Sequence, residues 1–412
     1  MNPVPTASPA SAAPLIYAGR IASIDTFRGI TILAMIFVND VAGVKHIPAW
    51  MKHVPSGVNG MTFVDVVFPA FLFIVGMSIP YAIQAREAKG EGARQIWQHI
   101  LLRTLALLVL GVFMVNAEGG NYNKAAMLLD IRPWSILLYL FAAMIWNRYP
   151  KTPEKQQLYK GLQLAGIAGL VALFFLYRGG EAGDQMMRPH WWGILGLIGW
   201  AYLYSCAVYL GSGRSLVAVT GMVAVFLALH LGRRGPAMQL AAPLSWLKGQ
   251  AGNASHAAVT LSGVALSLLI FNKDPKAEYR SILPQMLAMG LLLAVAGYFL
   301  QPLYGIEKNA ATPSWSLFSA AICVGVFAFL YWLMDVKGKE RWAVFLRPAG
   351  AEPLLTYFLP FIFYALLSWL GITVLGDYLG SGFVGVLRSI GVALLMLWAV
   401  KGLIRLGIRL HV

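Results

Sequence analysis

Apolar residues along this chain come in long unbroken runs rather than in alternation, and short polar segments separate them. The runs fall near 27–44, 62–83, 99–116, 132–147, 161–177, 191–210, 214–231, 256–271, 282–301, 314–335, 353–371 and 384–405. Each is close to the roughly 20 residues a helix needs to cross the hydrocarbon of a bilayer, whereas barrel strands alternate over about 10. The pattern predicts an all-α integral membrane protein, a bundle of about 12 transmembrane helices. The fourth run is short, and only Gly211, Ser212 and Gly213 separate the sixth from the seventh. Losing one span would leave eleven and reverse everything downstream.

Composition agrees with the pattern. Hydrophobic residues make up 58% of the 412 and charged residues 12%, with a mean hydropathy of +0.67, too few charges for an ordinary water-facing surface. The net charge of +15 is distributed rather than clustered. Counted loop by loop, Lys and Arg are in roughly twofold excess on the side that carries the chain ends, so the positive-inside rule puts both termini in the cytoplasm. The same distribution argues against nucleic acid, because no basic run interleaved with aromatic residues occurs. No loop exceeds about 25 residues, so residues 21–412 read as a single transmembrane domain. Residues 1–20, rich in Pro, Ala and Ser, read as a disordered tail rather than a signal peptide.

Several residues read as packing or anchoring groups. Gly193, Gly196 and Gly199 repeat on one helix face and would let a neighbour approach closely. Trp191, Trp192 and Trp315 fit interfacial anchors. Pro69, Pro284 and Pro360 are candidates to bend their helices. Cys206 and Cys323 both lie in apolar runs and read as packing residues, which excludes a disulfide framework or a cysteine metal site. His99, His190, His230, His256 and His411 read as interfacial polar residues.

The candidate chemistry lies between the first two runs. Asn39 and Asp40 close the first helix, His46, His53 and Asn59 lie in the polar turn, and Asp65 opens the second helix. Ionisable groups set against lipid mark functional positions. A carboxylate beside an imidazole fixes its tautomer and favours its protonated form, as a general base near neutral pH requires. Walker A, GxGxxG, HExxH and GxSxG motifs are all missing from the sequence.

The blocks SIDTFRGITILAMIFVND, KH and NGMTFVDVVFPAFLFIVGMSI, followed downstream by EKNAATPSWSLFSAAI and YWLMDVKG, resemble the heparan-alpha-glucosaminide N-acetyltransferase family and its bacterial relatives. The resemblance implies a multi-pass acyltransferase of the inner membrane. It would take acetyl from cytosolic acetyl-CoA and deliver it to the amine of a glucosamine-type sugar on the periplasmic side. By that resemblance the catalytic group is His53, as base or transient acetyl carrier, with His46 as second choice. Asn39 would polarise the acetyl carbonyl and Asp65 would orient His53. Asp40 and Asn59 would contact the acceptor. Arg28, Arg132, Lys308, Asn309 and Lys337 would hold the acetyl-CoA, and no metal is implied. A homodimer is among the assemblies it allows.

Two departures bear on the acceptor. The segment GAEPLLTYFLP places Glu352 and Pro360 where relatives carry a GMN element and later a histidine, and no long luminal domain is present. A small amino sugar or a cell-wall-derived glucosamine unit is then the expected acceptor rather than a polymer. The rival reading is an amino-sugar transporter, since twelve helices with both ends inside is also a carrier architecture.

Overall fold

A computed structural model describes residues 21–232, 249–271 and 273–412, and the expected tail at 1–20 lies outside them. Among the described residues twelve long helices follow one another: α1 (Ala22–Val41), α2 (Phe63–Glu87), α3 (Ala93–Asn116), α4 (Ile131–Trp146), α5 (Gln156–Leu176), α6 (Gly193–Gly211), α7 (Leu216–Gly232), α8 (Ala251–Ile270), α9 (Pro275–Tyr304), α10 (Pro313–Tyr331), α11 (Pro353–Trp369) and α12 (Gly382–Arg405). One helix answers each predicted run. Among the described residues nine are long and apolar enough to span a bilayer, α11 joins Arg341–Ala351 as a span bent by 77°, and α4 and α7 are shorter apolar helices. The protein is an integral membrane helical bundle.

Two long-range contacts orient the first helix against the later ones. His53, after α1, meets Lys308, after α9, while Ala22 at the start of α1 meets Asp335 beyond α10. The bundle therefore has a His53 end and an Arg28 end. Residues 22–28 and 409–412 share the latter, since Arg28 and His411 line one cavity there.

Small residues set the tightest helix pairs. A Cβ on Gly76 of α2 would lie 1.8 Å from the Thr260 carbonyl oxygen of α8, and one on Gly263 would lie 2.0 Å from that of Phe73. Only glycine allows the two backbones to touch, and this contact seats α2 against α8, the most enclosed helix of the bundle. The predicted glycine face of α6 packs as expected: a Cβ on Gly111 of α3 would lie 2.2 Å from the Trp192 carbonyl oxygen, and Gly199 faces Leu107.

The prolines at 69, 284 and 360 sit inside helices that continue through them, and a sharp break of 77° comes at Glu352, between Ala351 and Pro353. Two expectations change. Trp315 is wholly buried rather than interfacial, its Nε1 donating to the Asp65 carbonyl oxygen at 3.2 Å. His256 is also buried, held edge-on between the rings of Phe68 and Trp315. A buried indole needs an acceptor, and here a helix carbonyl supplies it.

Candidate functional site

The turn between α1 and α2 is held at both ends. Lys45 N donates to the Gly380 carbonyl oxygen at 2.9 Å, and the His46 imidazole meets Ser381 Oγ at 2.9 Å, which ties the turn to the start of α12. His46 has a φ of 54°, a left-handed conformation uncommon outside glycine. On the other side the turn is joined to the segment before α10. Gly60 N donates to the Ile306 carbonyl oxygen, Ile306 N to Asn59 Oδ1, and both Ser56 Oγ and Gly57 N to Glu307. Asn59 thus spends its carbonyl on the scaffold, and the docking brings Lys308 over His53.

Asp65 sits at the centre. Thr62 is the N-cap of α2: its hydroxyl accepts from Val64 N while its own N–H donates to Asp65 Oδ2 at 3.0 Å, a reciprocal capping box. Val54 N donates to the same oxygen at 3.3 Å, leaving Oδ1 to meet His53 Nδ1 at 2.7 Å. The carboxylate is almost fully buried, so its charge depends on these partners. An ionised carboxylate can only accept, which places the ring proton on Nδ1 and the lone pair on Nε2. Lys308 Nζ lies 3.3 Å from that Nε2 and 3.2 Å from Nδ1. Burial lowers the Lys308 ammonium below the ordinary lysine range, with the Asp65 charge partly opposing. The result is a buried anion, an imidazole with a defined tautomer and a cation within reach of its free nitrogen.

The remaining expected site residues divide. Asn39 is exposed at the last turn of α1, and Asn309 is exposed beside Lys308; neither side chain has a hydrogen-bond partner among the described residues. Asp40 is drawn away into the core. It takes two hydrogen bonds from the Arg388 guanidinium, at 2.8 and 3.2 Å, and further ones from Ser389 Oγ and Tyr364 OH. Arg132 forms a fork on Asp130, with both contacts at 2.8 Å, and reaches the Ser368 carbonyl oxygen. Lys337 is exposed, 5.8 Å from the centre of the Trp332 ring.

Arg28 stands at the opposite end, in a cavity of about 240 Å³. It donates to Ser78 Oγ at 2.7 Å and to the Gly350 carbonyl oxygen at 3.3 Å, and it pairs with Asp25 one turn earlier. Arg103 and His411 also line this cavity, which the sequence reading did not anticipate. Burial, then the charges of Arg148, Arg103 and Arg409, lower the His411 imidazole below the ordinary histidine range. Burial is the larger cause, and the Glu352 carboxylate, 3.8 Å from His411 Nδ1, offsets part of the arginine charge. Apolar walls carry the cavity up to Met35 and Phe71. Phe71 is six residues from Asp65, about 9 Å of helix rise. His53 is not among its lining residues. Among the described residues no three His, Cys, Asp or Glu side chains converge as a metal site would need.

Sequence reasoning missed three contributors to the His53 end. Thr62 was legible as the first residue of a T-x-x-D capping signature, whereas Glu307 and Trp315 act through contacts about 250 residues away in sequence.

Comparison with known proteins agrees with the resemblance read from the sequence. The heparan-alpha-glucosaminide N-acetyltransferase of Mus musculus is 37% identical over 99 residues, and that of Homo sapiens is 37% identical over 97. Each match covers 24% of this chain and 14% of the relative, so the aligned part spans about a seventh of the relatives' length. A family model described as "Domain of unknown function (DUF5009)" matches residues 20–250, more than half of the chain. The chain therefore belongs to the DUF5009 family.

Proposed function

We propose that this protein is a transmembrane N-acetyltransferase of the inner membrane, moving acetyl from cytosolic acetyl-CoA to the amine of a small glucosamine-type sugar at the His53 end. The observation that carries the reading is the His53–Asp65 pair, with Lys308 beside it, standing across the bundle from a cation-lined cavity. The partial similarity to glucosaminide N-acetyltransferases supports it.

Acetyl-CoA enters at the Arg28 end, which the charge distribution assigns to the cytoplasm. Arg28 and Arg103 offer the positive charge its phosphates need, with the His411 imidazole beside them as a hydrogen-bonding group. Its thin pantetheine arm follows the apolar walls toward Met35 and Phe71, bringing the thioester near the Asp65 layer. Arg132, forked onto Asp130, takes no direct part, and the exposed Lys337 stands beyond α10 at the Arg28 end.

At the other end the acceptor amine displaces Lys308 from His53 Nε2 and attacks the thioester carbonyl. Nε2 takes the amine proton as the C–N bond forms, and Asp65 stabilises the imidazolium. Lys308, and the amide of Asn39, face the negative charge that develops on the carbonyl oxygen. Collapse breaks the C–S bond, and the thiolate leaves with the proton from His53, giving amide and free CoA. The alternative order, with acetyl passing first to Nε2, uses the same residues. Asn309 and Asn59 stand at the rim as acceptor contacts.

The carrier reading draws on one feature, the span broken at Glu352, since carriers build their sites from interrupted helices. The experiment that separates the two supplies radiolabelled acetyl-CoA and glucosamine to the purified protein in detergent. N-acetylated product that disappears in His53→Ala supports the transferase. Sugar uptake into proteoliposomes that ignores acetyl-CoA, with no acetylated product, refutes it.

A further inference from the structure

Beside the cavity at the Arg28 end lies a second, larger one of about 910 Å³, between α3 and α5 and closed below by the last turn of α4. Its walls are apolar, with Leu105, Val109 and Phe113 on one side and Ile167, Val171 and Phe174 on the other. From Arg103 to Phe113 it runs ten residues along α3, about 15 Å, which is about half the roughly 30 Å thickness of a bilayer's hydrocarbon. Several of its wall residues, among them Leu105, Ile167 and Val171, are exposed.

One end of the groove is cationic. Arg86, His99 and Arg103 line it there, beside Trp146. Glu91 neutralises part of this charge, pairing with Arg86 at 3.0 Å and lying 3.6 Å from His99. Among the described residues Arg103 has no carboxylate partner and its buried Nε no hydrogen-bond partner; its guanidinium lies 4.7 Å from the Tyr202 ring centre. A buried N–H of this kind calls for an acceptor.

We propose that the groove is a binding site for one anionic phospholipid of the leaflet at the Arg28 end, its acyl chains between α3 and α5 and its phosphate on Arg103 and Arg86. Apolar walls of leaflet depth fit acyl chains, and the charge at the end selects the headgroup. A zwitterionic lipid would bring its own ammonium against these cations and gain less. Arg103 stands on the wall shared by both cavities, so the headgroup would lie against the entrance of the donor cavity. The proposal does not depend on acetyl transfer.

Brominated lipids quench tryptophan on contact, and Trp146 reports on this groove. The test reconstitutes the full chain in nanodiscs containing brominated phosphatidylglycerol or brominated phosphatidylcholine, without acetyl-CoA. The Trp146 signal is taken as wild type minus Trp146→Phe. Phosphatidylglycerol is expected to quench it at mole fractions about fivefold lower than phosphatidylcholine, the preference one or two cations confer near a membrane surface. Arg103→Gln should abolish that preference, Arg103→Lys should keep it, and Val171→Trp, which fills the groove, should protect Trp146 from both lipids. Equal quenching by the two lipids in the wild type, or a preference that survives Arg103→Gln combined with Arg86→Gln, overturns the proposal.

Discussion

Asp65 holds the Nδ1 of His53 at 2.7 Å with one carboxylate oxygen, while its other oxygen caps the first turn of α2. The pair is thereby built into a helix start. Any motion of His53 relative to the bundle has to work against the cap, the Val54 N–H and the Trp315 indole, all of which hold the same residue.

Asp65→Asn should therefore cost more activity than stability. The amide cannot accept from Nδ1–H with the same charge and can itself donate, so the tautomer of His53 is lost. Transfer should fall by roughly 10²- to 10⁴-fold, the range over which general bases contribute. Steady-state kinetics on the purified variant, alongside its thermal unfolding, would show the split. A proportional loss of both would mean that Asp65 is only structural.

Thr62→Ala separates the cap from the chemistry. It removes the hydroxyl that accepts from Val64 N and donates to the Lys52 carbonyl oxygen, and it should cost about 1 kcal/mol of stability. The contact between Asp65 Oδ1 and His53 does not pass through Thr62, so kcat should change little and Thr62→Ser should restore stability. Unfolding curves and initial rates for the three proteins provide the measurement.

How far the sequence could be read depends on how local each signal is. Membrane helices need only an apolar run of sufficient length, so all twelve were legible, including α4 and α7. The His53–Asp65 pair was also legible, because twelve residues and one turn connect its members. The contacts that draw Asp40 inward were not legible, because Arg388, the cation that pairs with it, lies 348 residues away. Trp315 and His256 read as boundary residues because their types favour boundaries; the contacts that bury them come from α2, α8 and α10 together. Asp335, in the block YWLMDVKG, turns out to accept from the N–H groups of Ala22 and Ser23 and so to cap α1. The block was visible, but its role needed the fold.

The Asp40–Arg388 pair should behave as structure. Both side chains are buried, and removing one partner of such a pair typically costs about 3–5 kcal/mol. Asp40→Ala is expected to lower the melting temperature sharply while the fraction that remains folded keeps a near-normal KM for the acceptor. A KM raised tenfold or more at preserved stability would return Asp40 to the acceptor site.

Lys308 provides a pH signature. Burial depresses its folded-state pKa, so between that lowered value and the ordinary lysine value near roughly 10.4 the unfolded chain binds more protons than the folded one. Stability should rise with pH across that window, because the cost of burying the charge is relieved as the ammonium deprotonates. Lys308→Gln should flatten the rise. Thermal unfolding midpoints measured in steps up to about pH 10 in both proteins check the sign.

The most direct test of the central claim is sided. In proteoliposomes with acetyl-CoA accessible only to the Arg28 end and glucosamine only to the His53 end, the wild type should form N-acetylglucosamine on the His53 side. His53→Ala, folded by its unfolding curve, should form none. Undiminished product from His53→Ala, or product formed only when donor and acceptor share one side, would contradict the account.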